Sequence, residues 1–313
     1  MTNSKNNQFT EITNRIFRRI VIDFVPYNIR NKFIESGHLK KYENDFYKRI
    51  RQNKNLKDSH KGERCFIFGN GPSLAKINFK NFENEFTFTM NQLTRNKNFH
   101  DLKTNFHFWS DERFFHLDSS KPEDKELLDV ILNVNEQNRK PAVFFDITAA
   151  SLIKQNNLDS LMDLHFFDCD GARKNKGFKQ TIDVSRPIPN MPTTVFYAIW
   201  FAVYMGFSKI YLLGCDCSGF ISTAFSKLET AEKSLYAYKI SENEKKRMEK
   251  IAKQTSLRNE LQSYVHIFDY YKYMKEYCNL RGVDLINCTS CGLLEELPKL
   301  SIDEVLPNTL IIE

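Results

Sequence analysis

The chain has 313 residues, of which 41% are hydrophobic and 13% aromatic, enough to bury a sizeable core as one large α/β domain with appendages or as two modest domains. Its 45 Lys and Arg against 39 Asp and Glu leave a mild net charge of +6, and no basic-aromatic ladder accompanies it, which argues against a dedicated nucleic-acid binder. Seven scattered cysteines, a polar stretch over residues 1 to 11 with no cleavage site after an apolar run, and no stretch of about 18 apolar residues predict reduced thiols in a cytoplasmic protein without a membrane span.

Ile12, Ile16, Phe17, Ile20, Val21 and Phe24 recur at helical spacing, with Arg15, Arg18 and Arg19 on the other side. Residues 12–24 therefore read as an amphipathic basic helix ended before Pro26. Its apolar face suits an anionic membrane surface, which would place the protein peripherally on the inner face of the cell membrane; it equally suits the core or a second copy in a homo-oligomer. A charged helical stretch around 40–51 and a linker at 53–62 complete an N-terminal extension, residues 1–60.

Arg64 to Leu74, RCFIFGNGPSL, is a short apolar run of the kind a buried parallel strand shows, stopped by a Gly-Asn-Gly-Pro-Ser turn. Gly69 and Gly71 permit close approach, Pro72 suits a first helical position, and the amides that follow are expected to face an anion. The turn is neither the dinucleotide fingerprint GxGxxG nor a Walker A loop, because no Lys-Ser/Thr closes it. Further strands are predicted at Phe86–Met90, Asn105–Trp109, Ala142–Phe145 and Leu164–Phe167, with a helix over 127–134. Asp168 and Asp170 form an Asp-x-Asp triplet, a pattern that elsewhere holds a divalent metal against a diphosphate but arises often by chance in loops. Cys215/Cys217 and Cys288/Cys291 invite a zinc hypothesis, which the spacing of the first pair does not favour. No metal is expected.

Residues 171–190 read as a loop bordering a cleft. Thr193 and Thr194 then precede a wholly apolar helix, Val195 to Met205, ended at Gly206 and therefore buried. Lys209–Leu213 is a strand ending in Gly214-Cys215-Asp216-Cys217-Ser218-Gly219. Residues 221–264, charged and free of Pro, read as an inserted helical lid of the kind that excludes water from a reactive donor. His266 precedes a helix over 267–280, Asp284–Asn287 is a last strand, and 296–313 form a tail. The sum is an α/β fold: a Rossmann-like, mostly parallel sheet with helices on both faces over 61–295. In such a sheet ligands bind outside the carboxyl ends of strands, so Gly69 to Ser73, Asn91, Ser110 and Gly214 to Ser218 should converge.

Three blocks, IFGNGPSL (67–74) with TMNQL (89–93), TTVFYAIWFAVYMGFSKIYLLGCD (193–216), and a His ahead of a helix and strand (266–286), resemble the small Rossmann-like bacterial sialyltransferases and related bacterial proteins of surface-polysaccharide assembly and flagellin glycosylation. The resemblance covers roughly residues 64–295, and the first two blocks are the specific ones. It implies an inverting, metal-independent and cofactor-free glycosyltransferase that moves an acidic sugar, sialic-acid-like or Kdo-like, from a CMP-activated donor to a glycan or lipid-linked glycan acceptor. Asn70 and Gly71 would contact the nucleotide, Asn91 the cytidine or ribose, and Thr194 and Gly214 the donor pocket. Asp216 matches an acidic position, and His266 would be the general base. With the converging strand ends, the donor-binding set is Gly69, Asn70, Gly71, Pro72, Ser73, Asn91, Ser110, Thr193, Thr194, Gly214, Asp216 and Ser218.

Two departures stand out. The family's two tyrosines beyond the Gly-x-Asp strand end are replaced by Cys217, Ser218 and Gly219, and its arginine before the Thr/Ser pair by Met191 and Pro192. Ser218, Arg173, Arg186, Lys233 and Tyr236 are the candidate substitutes as phosphate contacts. The alternatives are a pterin-type pyrophosphokinase using ATP and magnesium, and a non-catalytic module that binds a sugar nucleotide.

Overall fold

The computed structural model describes residues 37, 44–118, 120–135, 140–169, 182–221, 223–224 and 236–307. The amphipathic helix expected at 12–24, Asp170, Arg173 and Lys233 lie outside them. Seven strands, β1 (Arg64–Phe68), β2 (Phe86–Met90), β3 (Phe106–Trp109), β4 (Ala142–Asp146), β5 (Asp163–Phe167), β6 (Lys209–Leu213) and β7 (Asp284–Asn287), form one sheet in the order β5-β4-β3-β2-β1-β6-β7. Every neighbouring pair is parallel. The predicted strand bounds and the observed ones differ by a residue at most, because each strand is a short run that must be apolar on both sides.

The helices are α1 (Asn44–Gln52), α2 (Pro122–Leu132), α3 (Ala150–Gln155), α4 (Thr194–Tyr204), α5 (Glu242–Gln254), α6 (Leu257–Asn279) and α7 (Ile302–Val305). Alternate strand residues feed two separate cores. Cys65, Ile67, Phe88, Met90, Phe108, Ile210 and Leu212 pack with α4 and α6 on one face. Phe66, Phe68, Trp109, Val143, Phe145, Tyr211 and Leu213 pack with α1, α2, α3 and α7 on the other. The apolar helix α4 is buried along its whole length, as its composition predicts. The threonines of β2 are not solvent-facing either. Thr87 N–H donates to Asn105 Oδ1 at 3.0 Å, and Thr89 Oγ1 meets Thr104 Oγ1 at 3.0 Å and His107 Nδ1 at 2.8 Å, so these buried polar groups pair with one another.

The segment after Gly71 is a five-residue 3₁₀ turn, Pro72–Lys76, with Pro72 at its start as expected. One expectation needs correction: α6 begins at Leu257, so His266 lies inside the helix and the expected lid boundary at 264 is not an element boundary. The apolar stripe Tyr264, Ile267, Tyr271, Met274, spaced by three and four, continues upstream through residues with no Pro or Gly, and nothing stops the helix there.

From β1 the chain steps outward to β5, then returns across the sheet to place β6 on the other side of β1. The reversal falls between β1 and β6, where connections leave in opposite directions and open a crevice at the strand ends. Glycine is required there for packing: a Cβ on Gly69 would lie 2.9 Å from the Gly214 carbonyl carbon. Gly69→Ala is expected to wedge the β1 and β6 ends apart at a cost of about 1–3 kcal/mol, lowering Tm by roughly 3–10 °C in a thermal melt. An unchanged Tm would mean that these two ends are not in contact.

Candidate active site

At the crevice the Gly-rich turn holds the chain's own carboxylate. Gly69 N–H donates to Leu213 O at 2.8 Å and Gly71 N–H to Gly214 O at 2.9 Å. Ser73 N–H and Ser73 Oγ–H donate to Asp216 Oδ1 and Oδ2 at 3.2 and 2.7 Å. The far side of the Asp216 loop is closed by Leu293 N–H donating to Asp216 O at 2.8 Å and by Cys215 N–H donating to Thr289 Oγ1 at 3.1 Å. The Gly69, Gly71 and Ser73 amides and the Ser73 hydroxyl are engaged by the β6 end, a Cβ on Gly71 would run into Asp216 rather than into open space, and none of Gly69, Gly71, Ser73, Gly214 and Asp216 lines the cavity described below. Of this turn, Asn70 is what faces the cavity.

A second node gathers the ends of β2 and β3 at the start of α4. Asn91 Nδ2–H donates to Thr194 Oγ1 at 3.1 Å, and Ser110 Oγ lies 2.6 Å from the same hydroxyl. Asn91 adopts the left-handed conformation, φ +49°, which Asn tolerates better than most side chains and which turns it out of the strand direction. Below it His107 is fully buried; burial pushes its imidazole down to about 3, partly opposed by the Asn91 backbone, so it is neutral and structural. The strand ends thus gather in two nodes, Ser73 with Asp216 and Asn91 with Ser110 and Thr194, and Asn70 and Asn91 both line the cavity beside them.

Both asparagines open into a cavity of about 490 Å³, within the range of small-molecule sites. Its floor is Asn70, Asn91 and Gln92; one wall is Asp111, Arg113 and Phe114 after β3; Gly219 and Thr223 follow β6. The roof comes from the described part of the lid and the start of α6: Tyr236, Tyr238, Glu244, Arg247, Met248, Thr255, Asn259, Glu260, Ser263 and Tyr264. Two sets of bonds hold that roof down. Ala237 N–H donates to Asn70 O at 3.2 Å while Ala237 O accepts from Asn96 Nδ2 at 2.6 Å. Glu244, 5% exposed, accepts from Gln92 Nε2 at 2.8 Å and from Arg247 Nη2 at 2.6 Å. Next to it Glu126 accepts from Arg95, Ser241 and Asn243; burial pushes its carboxyl up, but these donors outweigh burial and hold it below the usual range.

Three buried oxygens of the lining have no hydrogen-bond partner among the described residues: Asn70 Oδ1, Asn91 Oδ1 and Glu260 Oε2. Leaving a buried acceptor unpaired costs about 1–3 kcal/mol each. Arg247 lies over the Phe114 ring at 5.1 Å and Arg113 pairs with Asp111, so cation, aromatic and amide surfaces surround the same space. Arg113 and Arg247 escaped the sequence reading. The position of Arg113, three residues past the predicted strand end at Ser110, was the available signal.

Other predicted residues lie elsewhere. His266 is exposed and outside the cavity lining. Thr193 caps α4 with its Oγ1 buried and unpartnered, while Pro72 and Ser218 do not line the cavity. Arg186 pairs with Asp183 at 3.6 Å. Asp168 is buried and accepts from Tyr47 Oη, away from the cavity. All seven cysteines are free; burial pushes the Cys217 thiol up to about 12, so it stays protonated, and among the described residues no cluster of three metal-ligating side chains forms. No described helix is long and apolar enough to cross a membrane.

No family model and no curated protein matches the chain. Among solved structures, the sialyltransferase CstII from Campylobacter jejuni, in complex with the substrate analogue CMP-3FNeuAc, is similar over 80% of this chain and 89% of its own, at 18% identity and a TM-score of 0.40. The apo form of an alpha-2,3-sialyltransferase from Campylobacter jejuni is similar over 80% and 89% of the two chains, at 17% identity and a TM-score of 0.38.

Burial pushes the Asp216 carboxyl up, against the opposing bonds from Ser73. A raised carboxyl keeps its proton in the folded state where the unfolded chain releases it. Its contribution to stability is therefore complete below the ordinary value of about 3.9 and is lost as pH rises through the raised one. The Tm of the wild type relative to Asp216→Asn is expected to fall as pH climbs from about 4 toward 7, as paired melts will show. A pH-independent gap would contradict the shift.

Proposed function

We propose that the cavity binds a nucleotide-activated sugar and that the protein is a glycosyltransferase using a CMP-linked acidic sugar. The observation that carries this reading is that Asn70 and Asn91, both from the first motif block and at the ends of the neighbouring strands β1 and β2, line the same cavity, with side-chain carbonyl oxygens that have no partner among the described residues. Cytosine presents an exocyclic amine and ribose presents hydroxyls, donors that such acceptors satisfy; a uracil ring lacks that amine. The aromatic roof of Tyr236, Tyr238 and Tyr264 gives base and sugar rings apolar faces to rest on. Burial pushes the hydroxyls of Tyr238 and Tyr264 up, so both remain donors, available to a leaving phosphate. These lid and α6 tyrosines take the place of the pair missing beyond the Gly-x-Asp strand end.

In the reaction the acceptor hydroxyl attacks the anomeric carbon in line with departing CMP, which inverts that carbon and requires no metal. The motif resemblance extends the reading to a bacterial surface glycan or lipid-linked glycan as acceptor, met at the inner face of the membrane. It also implies His266 as the base, and the exposed position of that side chain bears on the choice of base taken up below.

CMP at about 100 times its Kd is expected to stabilise the protein by about 2.7 kcal/mol. The corresponding rise in Tm should be indifferent to EDTA and larger than with UDP, GDP or ATP. A response confined to ATP with magnesium would replace this reading with the pyrophosphokinase one. CMP binding without release of CMP from any donor in a panel of CMP-sugars would leave a binding module.

A further inference from the structure

We infer that Glu260, rather than His266, accepts the proton of the attacking hydroxyl, an assignment that rests on the glycosyltransferase reading above. Three carboxylates line the cavity, and two are already engaged. Asp111 is bonded to the Arg113 guanidinium, and Glu244 accepts from Gln92 and Arg247. Glu260 keeps Oε2 buried with no partner, and no histidine, cysteine or lysine lines the cavity, among the described residues.

Its aim is set by the core. Glu260, Tyr264, Ile267, Tyr271 and Met274 follow one another at spacings of four, three, four and three along α6, and the last three are buried against the sheet. The same stripe that packs the helix therefore carries Glu260 into the cavity. His266 sits about 120° around the helix from Glu260 and roughly 9 Å further along its axis, with its side chain in solvent. To reach a substrate held by Asn70 and Asn91 it would need α6 to rotate out of its own core contacts.

The step balances. An oxygen lone pair of the acceptor hydroxyl forms the new bond to the anomeric carbon. The bond from that carbon to the phosphate oxygen breaks with its electron pair leaving on CMP, and the hydroxyl proton passes to the Glu260 carboxylate and from there to water. Positioned proton transfer of this kind contributes about 10²–10⁴-fold in rate.

The test uses the full chain with CMP-N-acetylneuraminic acid and related CMP-linked acidic sugars as probes, reading CMP release, glycan product and CMP affinity. Glu260→Gln is expected to lower kcat by about 10²–10⁴-fold with CMP affinity within a few-fold of wild type. Glu260→Ala should regain part of the loss with formate or azide, which a merely structural role would not allow. His266→Ala should stay within several-fold of wild type and be indifferent to formate. Wild-type kcat in Glu260→Gln, or a larger loss in His266→Ala at unchanged CMP affinity, overturns this inference alone. A wild-type chain that turns over no CMP-sugar overturns it together with the glycosyltransferase reading. Should Glu260→Ala fail to fold, the isosteric Glu260→Gln decides.

Discussion

The clasp between Ser73 and Asp216 is the constraint on which the rest of the site depends. Two strands distant in the chain, β1 and β6, end side by side, and their loops leave in opposite directions. Beyond the backbone bonds from Gly69 to Leu213 and from Gly71 to Gly214, a buried carboxyl group taking a main-chain amide and a hydroxyl from the opposite loop ties the two ends together. Gly69 and Gly71 let the loops approach closely enough for it to form. In the turn that reads in the sequence as a phosphate cradle, the Ser73 amide and hydroxyl are bonded to an acidic side chain of the same chain.

Beside the clasp, the Asn70 backbone carbonyl anchors the lid through Ala237. The neighbouring Gln92, at the end of β2, anchors the lid a second time through Glu244. Floor and roof are thus bonded to each other at two points on either side of the unpartnered asparagine oxygens. Glu244 is nearly buried and its pairing with Arg247 is bidentate, an arrangement in which removing one partner strands a charge. The roof is held by polar contacts of high stakes, because each leaves a buried polar group behind if it breaks.

The sheet was legible in the sequence because a parallel strand covered on both faces leaves a short apolar run that few other structures produce. α4 was legible for the same reason at helical length. The ends of β1, β2, β3 and β6 were identified, and of the residues singled out at those ends Asn70 and Asn91 line the cavity. The lid and the head of α6 were read less well. Residues 241–263 carry charges that in isolation look like a solvated face, and only the fold shows that Glu244, Arg247 and Glu260 turn inward. A pairing such as Gln92 with Glu244 spans 152 positions, and nothing local in either segment announces it.

The position of α6 shows why that boundary matters. Had the helix begun at 267, as the charge pattern suggests, the residues before it would belong to a mobile loop, and a histidine there could swing toward a substrate. Because the helix begins at Leu257, the segment 257–266 moves only with the core stripe below it. Tyr264 and Glu260 are carried on the same rigid rod as Ile267, Tyr271 and Met274, whose burial fixes the rotation of the whole helix. Tyr264 in turn closes on Gly219, where any Cβ would collide with its hydroxyl. The loop after β6 and the head of α6 are therefore fitted to each other, and the chemistry available at the cavity is decided by which helical positions share a face with the core.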